Sequence, residues 1–434
     1  MNTVDIITKK RDKYNLTQDE IKYMITGAVN GSIPDYQLSA FLMASFINGL
    51  NDEETFYITK AMLESGEILD FSEISGIKTD KHSTGGVGDT TTLILAPAVA
   101  SLGVPVIKMS GRGLGFSGGT IDKLSAIPGF STEISVEKAK ELAKKSGIVL
   151  MGQSESIALA DKIFYSLRDV TGTVESTALI VSSIMSKKLA TGSDAIVFDV
   201  KCGSGAFMKD LPSARTLAKD LIQIGQKFNK KCMAVISSMS QPLGNYIGNS
   251  LEVYEAIDVL KGKTKGDLRY VSSVLGGAML MCAGKAPDIK IGSKMIEEAI
   301  DSGKALNKFK ELIINQGGNP EIINDYALMP LSNCSFDVLS PKDGYLSSFN
   351  THKIGLSSVE TGAGRKQKTD DIDLGAGIKL NCRIGDYIKK GDVMATLYAK
   401  DETRLKNAAE MFNSSFELSD SKPEIPKLIL DIIE

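Results

Sequence analysis

Two glycine-rich loops hold most of the side chains in this sequence that could grip an anion. The first runs Lys81-His82-Ser83-Thr84-Gly85-Gly86-Val87-Gly88-Asp89-Thr90, with Thr91 and Thr92 directly after it. The second runs Lys108-Met109-Ser110-Gly111-Arg112-Gly113-Leu114-Gly115-Phe116-Ser117-Gly118-Gly119-Thr120. Glycines entering a helix let backbone N–H groups converge on one anion, with the positive end of the helix dipole behind them. Lys81 and Lys108 add full charge, and Thr90, Thr91 and Thr92 at a helix start and Ser110 at a strand end add hydroxyl donors. The chemistry this combination suits is phosphate binding. A plain tight turn also needs glycine, but two such loops with matched Lys and Ser/Thr donors favour the anion cradle.

Gly113 to Gly118 also satisfies GxGxxG. Pro128 follows too early for a dinucleotide-binding helix, and no acidic residue stands clearly at the expected offset. Neither loop contains GxxxxGK[ST], so a Walker-type nucleotide site is not indicated. His82, inside the first loop, is placed to donate a hydrogen bond or a proton beside the reacting atoms. Its lysine neighbours disfavour its charged form.

A second constellation is Arg168 with Ser183 and Lys187. Ser183 and Lys187 are four apart and so share one helix face, with Arg168 coming from the preceding helical stretch. A guanidinium fork, a hydroxyl and an ammonium suit a planar ring carrying carbonyl oxygens and an N–H. The competing reading is a solvated basic patch, with Lys188 as an exposed neighbour whose removal is harmless.

The elements that must position these groups follow from the hydrophobic pattern. Residues 1–65 form successive amphipathic helices, with capping-box spacing at Thr17/Glu20 and Asn51/Glu54 and Pro34 at a helix start. From about Gly76 short apolar segments alternate with helices, an α/β pattern with a partly parallel sheet. Residues 158–190 are helical again and are expected to pack back on the N-terminal helices. Beyond about Ser335 the chain is rich in strands and glycine turns. The expectation is a multi-domain α/β protein. Its parts are a discontinuous all-helical domain (1–65 and 158–190), a larger α/β domain with a mixed or parallel sheet (66–157 and 191–334), and a C-terminal α+β domain resembling a barrel-sandwich (335–434).

Composition narrows the function classes. The 434 residues carry a formal net charge of -3, which gives no global attraction to nucleic acid or acidic membranes. Five scattered cysteines suggest neither a disulfide framework nor a CxxC metal site and fit a reduced compartment. Residues 1–10 lack an apolar signal core, and no run of about 18 apolar residues occurs. A cytoplasmic protein is expected.

Together, residues 81–92, 108–130, 168–171, 182–188 and Gly203-Ser204-Gly205-Ala206-Phe207-Met208 resemble the thymidine and pyrimidine nucleoside phosphorylase family. Gly362-Ala363-Gly364-Arg365 and Asp371-Ile372-Asp373 resemble its C-terminal signature, so the likeness spans the chain. The resemblance implies reversible phosphorolysis of pyrimidine nucleosides by a homodimer, in pyrimidine salvage. It implies phosphate as substrate and no organic cofactor. It assigns Lys81, Ser83, Thr92, Lys108, Ser110 and Thr120 to phosphate, and Tyr165, Arg168, Ser183 and Lys187 to the base, with His82, Arg168 and Lys187 in catalytic roles. A structural potassium ion is implied at Gly88, Thr90, Leu243, Tyr246 and Glu255. It also implies closure of the base-binding domain on the phosphate domain, with hinges near 66–75, 152–157 and 189–193.

The chain departs from the family pattern at Phe116-Ser117, where His-Thr is usual, and at Ser125, where the motif ends in Glu. Alternatives are a thymidine-restricted phosphorylase, a phosphoribosyltransferase of the anthranilate type, and a carrier module based on the barrel-like stretch 383–393. The last lacks the Met-Lys dipeptide that carriers modify.

Overall fold

The computed structural model describes all residues except Leu114, Glu155 and Lys368. Leu114 belongs to the GxGxxG stretch, and its part of that motif lies outside the described residues.

Four N-terminal helices, Thr3–Arg11, Gln18–Val29, Asp35–Asn48 and Asp52–Glu64, form the start of the helical domain. Both anticipated capping boxes are present: Thr17 with Glu20, and Asn51 with Glu54. Each satisfies two backbone donors that a helix start would leave open. Glu54 also accepts from Lys10 Nζ at 2.9 Å and from Leu16 N at 2.9 Å, so one buried carboxylate ties three chain segments. The helices Leu159–Thr171 and Thr177–Ala190 return to this bundle. Their Ala160, Phe164 and Leu179 join one core with Ile25, Phe41, Leu42 and Ile58. The helical domain is therefore assembled from two separated pieces.

The α/β domain is built on five parallel strands: β1 (Thr79–Ser83), β2 (Val106–Ser110), β3 (Ile148–Gly152), β4 (Ala195–Cys202) and β5 (Lys231–Ser238). Their order in the sheet is β5-β4-β1-β2-β3. All eight residues of β4 are buried, as expected of a central parallel strand covered on both faces. Helix Thr91–Ser101, directly after the first glycine loop, is buried on every side from Thr91 to Ala100. A helix without a polar face must sit inside the domain, and this one fixes the loop to the core. From β1 the chain builds outward to β2 and β3, then crosses to β4 on the other side. That reversal makes the carboxyl ends of β1 and β4 a switch point, where open α/β sheets bind ligands.

The C-terminal domain holds two small antiparallel sheets and two helices, Thr351–Thr361 and Glu402–Asn413. Two strands cross the expected boundary with the α/β domain. Tyr246–Gly248 pairs with Gly377–Leu380 in the C-terminal domain, and Ile429–Ile433 runs antiparallel on the outer edge of β5. The last strand, grouped by sequence with 335–434, thus completes the sheet of the α/β domain. Between the helical and α/β domains the crossing segments hydrogen-bond one another: Glu67 N donates to Ser156 O at 2.8 Å and Leu69 N to Ala190 O at 2.8 Å. Among the described residues no helix is long and apolar enough to cross a membrane.

Candidate active site

β1 and β2 end side by side, delivering Lys81-His82-Ser83 and Lys108-Met109-Ser110 to one edge of the sheet. A cleft of about 290 Å³ opens there, and Lys81, His82, Ser83, Thr92, Lys108, Ser110 and Thr120 all line it. Tyr165, Ile184 and Lys187 line its opposite wall, from the helical domain. A contiguous cavity of about 570 Å³ extends past Gln153, Asp161, Tyr165 and Lys187. The two constellations found by spacing therefore meet in one place.

The lysines of the cradle are not free charges. Lys81 Nζ lies 3.0 Å from Asp199 Oδ2 and 3.8 Å from Asp89 Oδ2, and donates to Thr91 Oγ1 at 2.8 Å. Lys201 joins the same pair of carboxylates, 2.8 Å from Asp199 and 3.7 Å from Asp89. Burial pushes the Lys81 ammonium toward neutrality, but Asp199 and Asp89 outweigh it and hold its pKa above the usual value. Asp89 remains charged far below the carboxylate range: its burial opposes this, and Lys201, Lys81 and Lys123 override it. Ser83 Oγ donates to Asp89 Oδ2 at 2.7 Å. The same oxygen accepts from Gly85 N at 3.2 Å, so Ser83 would have to turn its O–H from Asp89 to donate to an anion.

Lys108 has the opposite balance. Its Nζ donates to the Lys81 carbonyl and reaches Asp80 Oδ1 at 3.5 Å. Burial and the neighbouring Lys188 lower its pKa to about 7, with Asp80 only partly compensating. A phosphate dianion would supply the missing negative charge. His82 is held well below its ordinary pKa by burial and by Lys188, Lys108, Lys187 and Lys81. It is a neutral imidazole in this cleft, able to donate one N–H.

On the base side, Lys187 Nζ donates to Asp161 Oδ2 at 2.6 Å and to Ser183 Oγ at 3.0 Å. The two lie on one helix face as their spacing requires. Arg168 is placed differently from the sequence expectation. Its guanidinium donates to the carbonyls of Thr173 (3.1 Å), Leu179 (3.1 Å) and Val174 (2.5 Å). It is 2% exposed and, like Ser183, does not line the cleft in this arrangement. Tyr165 stands between, its ring 6.0 Å from the Arg168 guanidinium and 5.9 Å from Lys187 Nζ. Arg168 thus braces the turn between the two returning helices and the floor beneath Tyr165.

The reading of Lys188 as a solvated neighbour is overturned. Lys188 is 5% exposed, and its Nζ donates to Asp80 Oδ2 at 2.7 Å and to Met109 O at 2.9 Å. Residues next to each other on a helix point about 100° apart, so one can face the bundle side and the other the sheet.

The second glycine loop is held from the C-terminal domain. Arg365 grips Asp122 with both Nη atoms (2.9 and 3.0 Å), and Asp122 Oδ2 accepts from Gly113 N at 2.7 Å. Gly115 N donates to Arg365 O at 3.0 Å. Phe116 packs its ring against His352 (4.6 Å between centroids) and Phe207 (5.8 Å). Ser125 Oγ bonds back to Ile121 O at 2.8 Å, ending a short helix.

Of the residues assigned to potassium, Gly88, Leu243, Tyr246 and Glu255 lie on neighbouring segments. Gly244 N donates to Gly88 O at 3.1 Å, and Glu255 accepts from Asn245 N at 2.7 Å and Tyr246 N at 3.1 Å. Burial raises Glu255 to about 7 despite those two donors. Thr90 Oγ1 is buried with no partner.

Sequence reasoning did not find Asp80, Asp161, Asp199 or Lys201. One signal was available for the carboxylates: a lysine in a buried strand needs a buried counter-charge, so Lys81 and Lys108 called for partners.

Comparison with known proteins agrees with this architecture. Residues 4–66 match the helical bundle domain of the glycosyl transferase family, 75–306 its a/b domain, and 345–419 the pyrimidine nucleoside phosphorylase C-terminal domain. Pyrimidine-nucleoside phosphorylases of Geobacillus stearothermophilus and Staphylococcus epidermidis are each 48% identical over 433 residues, covering 100% of both chains. The crystal structure of an anthranilate phosphoribosyltransferase from Thermus thermophilus superimposes with a TM-score of 0.61 at 19% identity, over 72% of this chain and 99% of that one. At that identity the likeness is one of fold.

Proposed function

Because the chain belongs to the pyrimidine-nucleoside phosphorylases of the glycosyl transferase family, we propose that it catalyses reversible phosphorolysis of pyrimidine nucleosides. Uridine, thymidine and deoxyuridine are the substrates to be tried; a thymidine-restricted enzyme is the narrower form of the same reading. The observation that carries it is the single cleft with lysine and hydroxyl donors on the sheet side and Tyr165 and Lys187 on the helical side.

Phosphate seated among Lys81, Ser83, Thr92, Lys108, Ser110 and Thr120 attacks C1′ of the sugar. The C1′–O bond forms as the bond from C1′ to the base nitrogen breaks. The base leaves with the bonding pair and takes the proton of the hydrogen phosphate, giving free base and sugar 1-phosphate. Lys187, oriented by Asp161, stabilises the negative charge growing on the base. Neutral His82 acts as a hydrogen-bond donor to a base oxygen, because its depressed pKa disfavours a role as a charged acid. Arg168 supports Tyr165 and shapes the base side. Each preorganised donor of this kind is worth on the order of 10²–10³ in rate.

The two walls belong to different domains, so bond-making requires them at near-attack distance. Closure about 66–75, 152–157 and 189–193 is the proposed motion. Small-angle scattering with and without phosphate plus a non-reactive nucleoside analogue tests it; unchanged profiles would exclude it.

A potassium ion fits the residues assigned to it. The unpartnered Thr90 hydroxyl, the buried Glu255 carboxylate and the carbonyls of Gly88, Leu243 and Tyr246 are the hard oxygen donors such an ion takes. The ion would neutralise Glu255 and brace the first glycine loop. The chain is further proposed to act as a homodimer in the cytoplasm.

A phosphoribosyltransferase of the anthranilate type shares the fold, but the carboxylates near this cradle, Asp80, Asp89 and Asp199, are engaged by lysines. Chromatography of purified protein with each nucleoside, with and without phosphate, tests the proposal. Phosphate-dependent release of uracil or thymine is expected. Activity only with phosphoribosyl pyrophosphate and Mg²⁺ would overturn it.

A further inference from the structure

Asp80 is fully buried on β1 and lines neither cavity of the site, yet it touches both sides of it. Its Oδ1 accepts from Lys81 N at 2.7 Å and from Lys108 Nζ at 3.5 Å. Its Oδ2 accepts from Lys188 Nζ at 2.7 Å. Lys108 sits on β2, among the phosphate donors. Lys188 sits on helix Thr177–Ala190 of the helical domain, beside Lys187. One carboxylate therefore holds two ammonium groups that arrive from different domains, and Lys188 is fastened a second time through Met109 O at 2.9 Å.

We propose that Asp80 is a positioning residue of the phosphorolysis site: it keeps Lys108 and Lys188 together at the phosphate cradle and so ties the base-carrying helix to phosphate occupancy. This rests on the phosphate-cradle reading given above.

The charges around Lys108 make the arrangement testable. From β1 it is faced by Asp80, Lys81 and His82, and from helix Thr177–Ala190 by Lys188. Of these only Asp80 favours its ammonium form, while Lys188 opposes it. The two partners must therefore move the titration of Lys108 in opposite directions. Charge removal at Asp80 leaves two ammonium groups facing each other without a counter-ion. Charge removal at Lys188 leaves Asp80 to Lys108 alone.

The experiment is the pH profile of kcat/KM for phosphate, at saturating uridine, in the full-length enzyme and in Asp80→Asn and Lys188→Met. The wild-type profile falls on its alkaline side as Lys108 loses its proton. In Asp80→Asn that limb moves to lower pH by about one unit, and in Lys188→Met to higher pH by about one unit, the size expected for one charge at this range. A general loss of packing would lower kcat at every pH without moving the limb, or would move both variants the same way. Either result overturns the assignment of Asp80. If Asp80→Asn does not fold, Lys188→Met alone decides: an unmoved limb excludes the proposal. A wild-type profile with no alkaline limb would instead overturn the cradle reading of Lys108 on which the proposal stands.

Discussion

Lys187 Nζ lies 2.6 Å from Asp161 Oδ2, and the same carboxylate leaves its Oδ1 buried without a partner. The ammonium is therefore held between one Asp161 oxygen and Ser183 Oγ, at the cleft wall. Asp161→Asn removes the charge while keeping the shape. We expect kcat/KM for the nucleoside to fall by roughly 10²-fold, the cost of misplacing a reacting group by about 1 Å. KM for phosphate should change little, since Asp161 stands on the base wall. Steady-state kinetics with each substrate varied separately checks this; a loss confined to phosphate would contradict the division of the cleft.

Lys81 shares two buried carboxylates with Lys201 as well as facing the anion site. Lys81→Met should abolish turnover, and it should also destabilise the fold by about 3–5 kcal/mol, the cost of stranding a buried charge. The two effects separate by thermal unfolding with added phosphate. Phosphate raises Tm of the native enzyme by linkage and should not raise that of the variant. A full phosphate-dependent shift in Lys81→Met would remove Lys81 from the anion site.

Much of this site was legible beforehand because local chemistry demanded it. Glycine loops at strand ends and hydroxyls at a helix start carry their own physical reason, and Lys81, Thr92, Lys108 and Ser110 fall on one cleft, while Thr90 and Thr91 are buried behind it. That Ser183 and Lys187 share one helix face followed from their spacing. Lys188 did not, because adjacency in sequence says nothing about which way a helix face is buried. The two exchanged strands were also hidden. Tyr246–Gly248 is three residues long, too short for a period-two pattern. Ile429–Ile433 pairs with β5 nearly two hundred residues upstream. Long-range pairing of short strands is set by tertiary packing, which propensity does not register.

His82 offers a test by pH. Its folded pKa lies well below that of an ordinary imidazole because burial and four lysines oppose its charge. A depressed folded pKa means that stability is fully present above the unfolded value and is lost as pH falls toward the folded one. Urea unfolding at pH 7 and pH 5 should show a loss of stability on acidification, and the loss should be smaller in His82→Gln. An equal loss in both proteins would mean that His82 protonates freely in the folded state.

Arg365 and Asp122 set the height of the second glycine loop above the phosphate donors. The fork of Arg365 takes both oxygens of Asp122, Asp122 in turn accepts from Gly113 N, and Arg365 O receives Gly115 N. The loop backbone is thus pinned at Gly113 and at Gly115. Lysine cannot replace the fork, because it offers a point charge rather than two parallel donors. In Arg365→Lys we expect hydrogen exchange to accelerate across 111–120, with KM for phosphate raised about tenfold, or about 1.4 kcal/mol of weakened binding. Exchange in 81–92 should stay as in the native enzyme, since that loop is anchored by the buried helix Thr91–Ser101. Faster exchange in both loops would mean that Arg365 supports the whole domain rather than this loop.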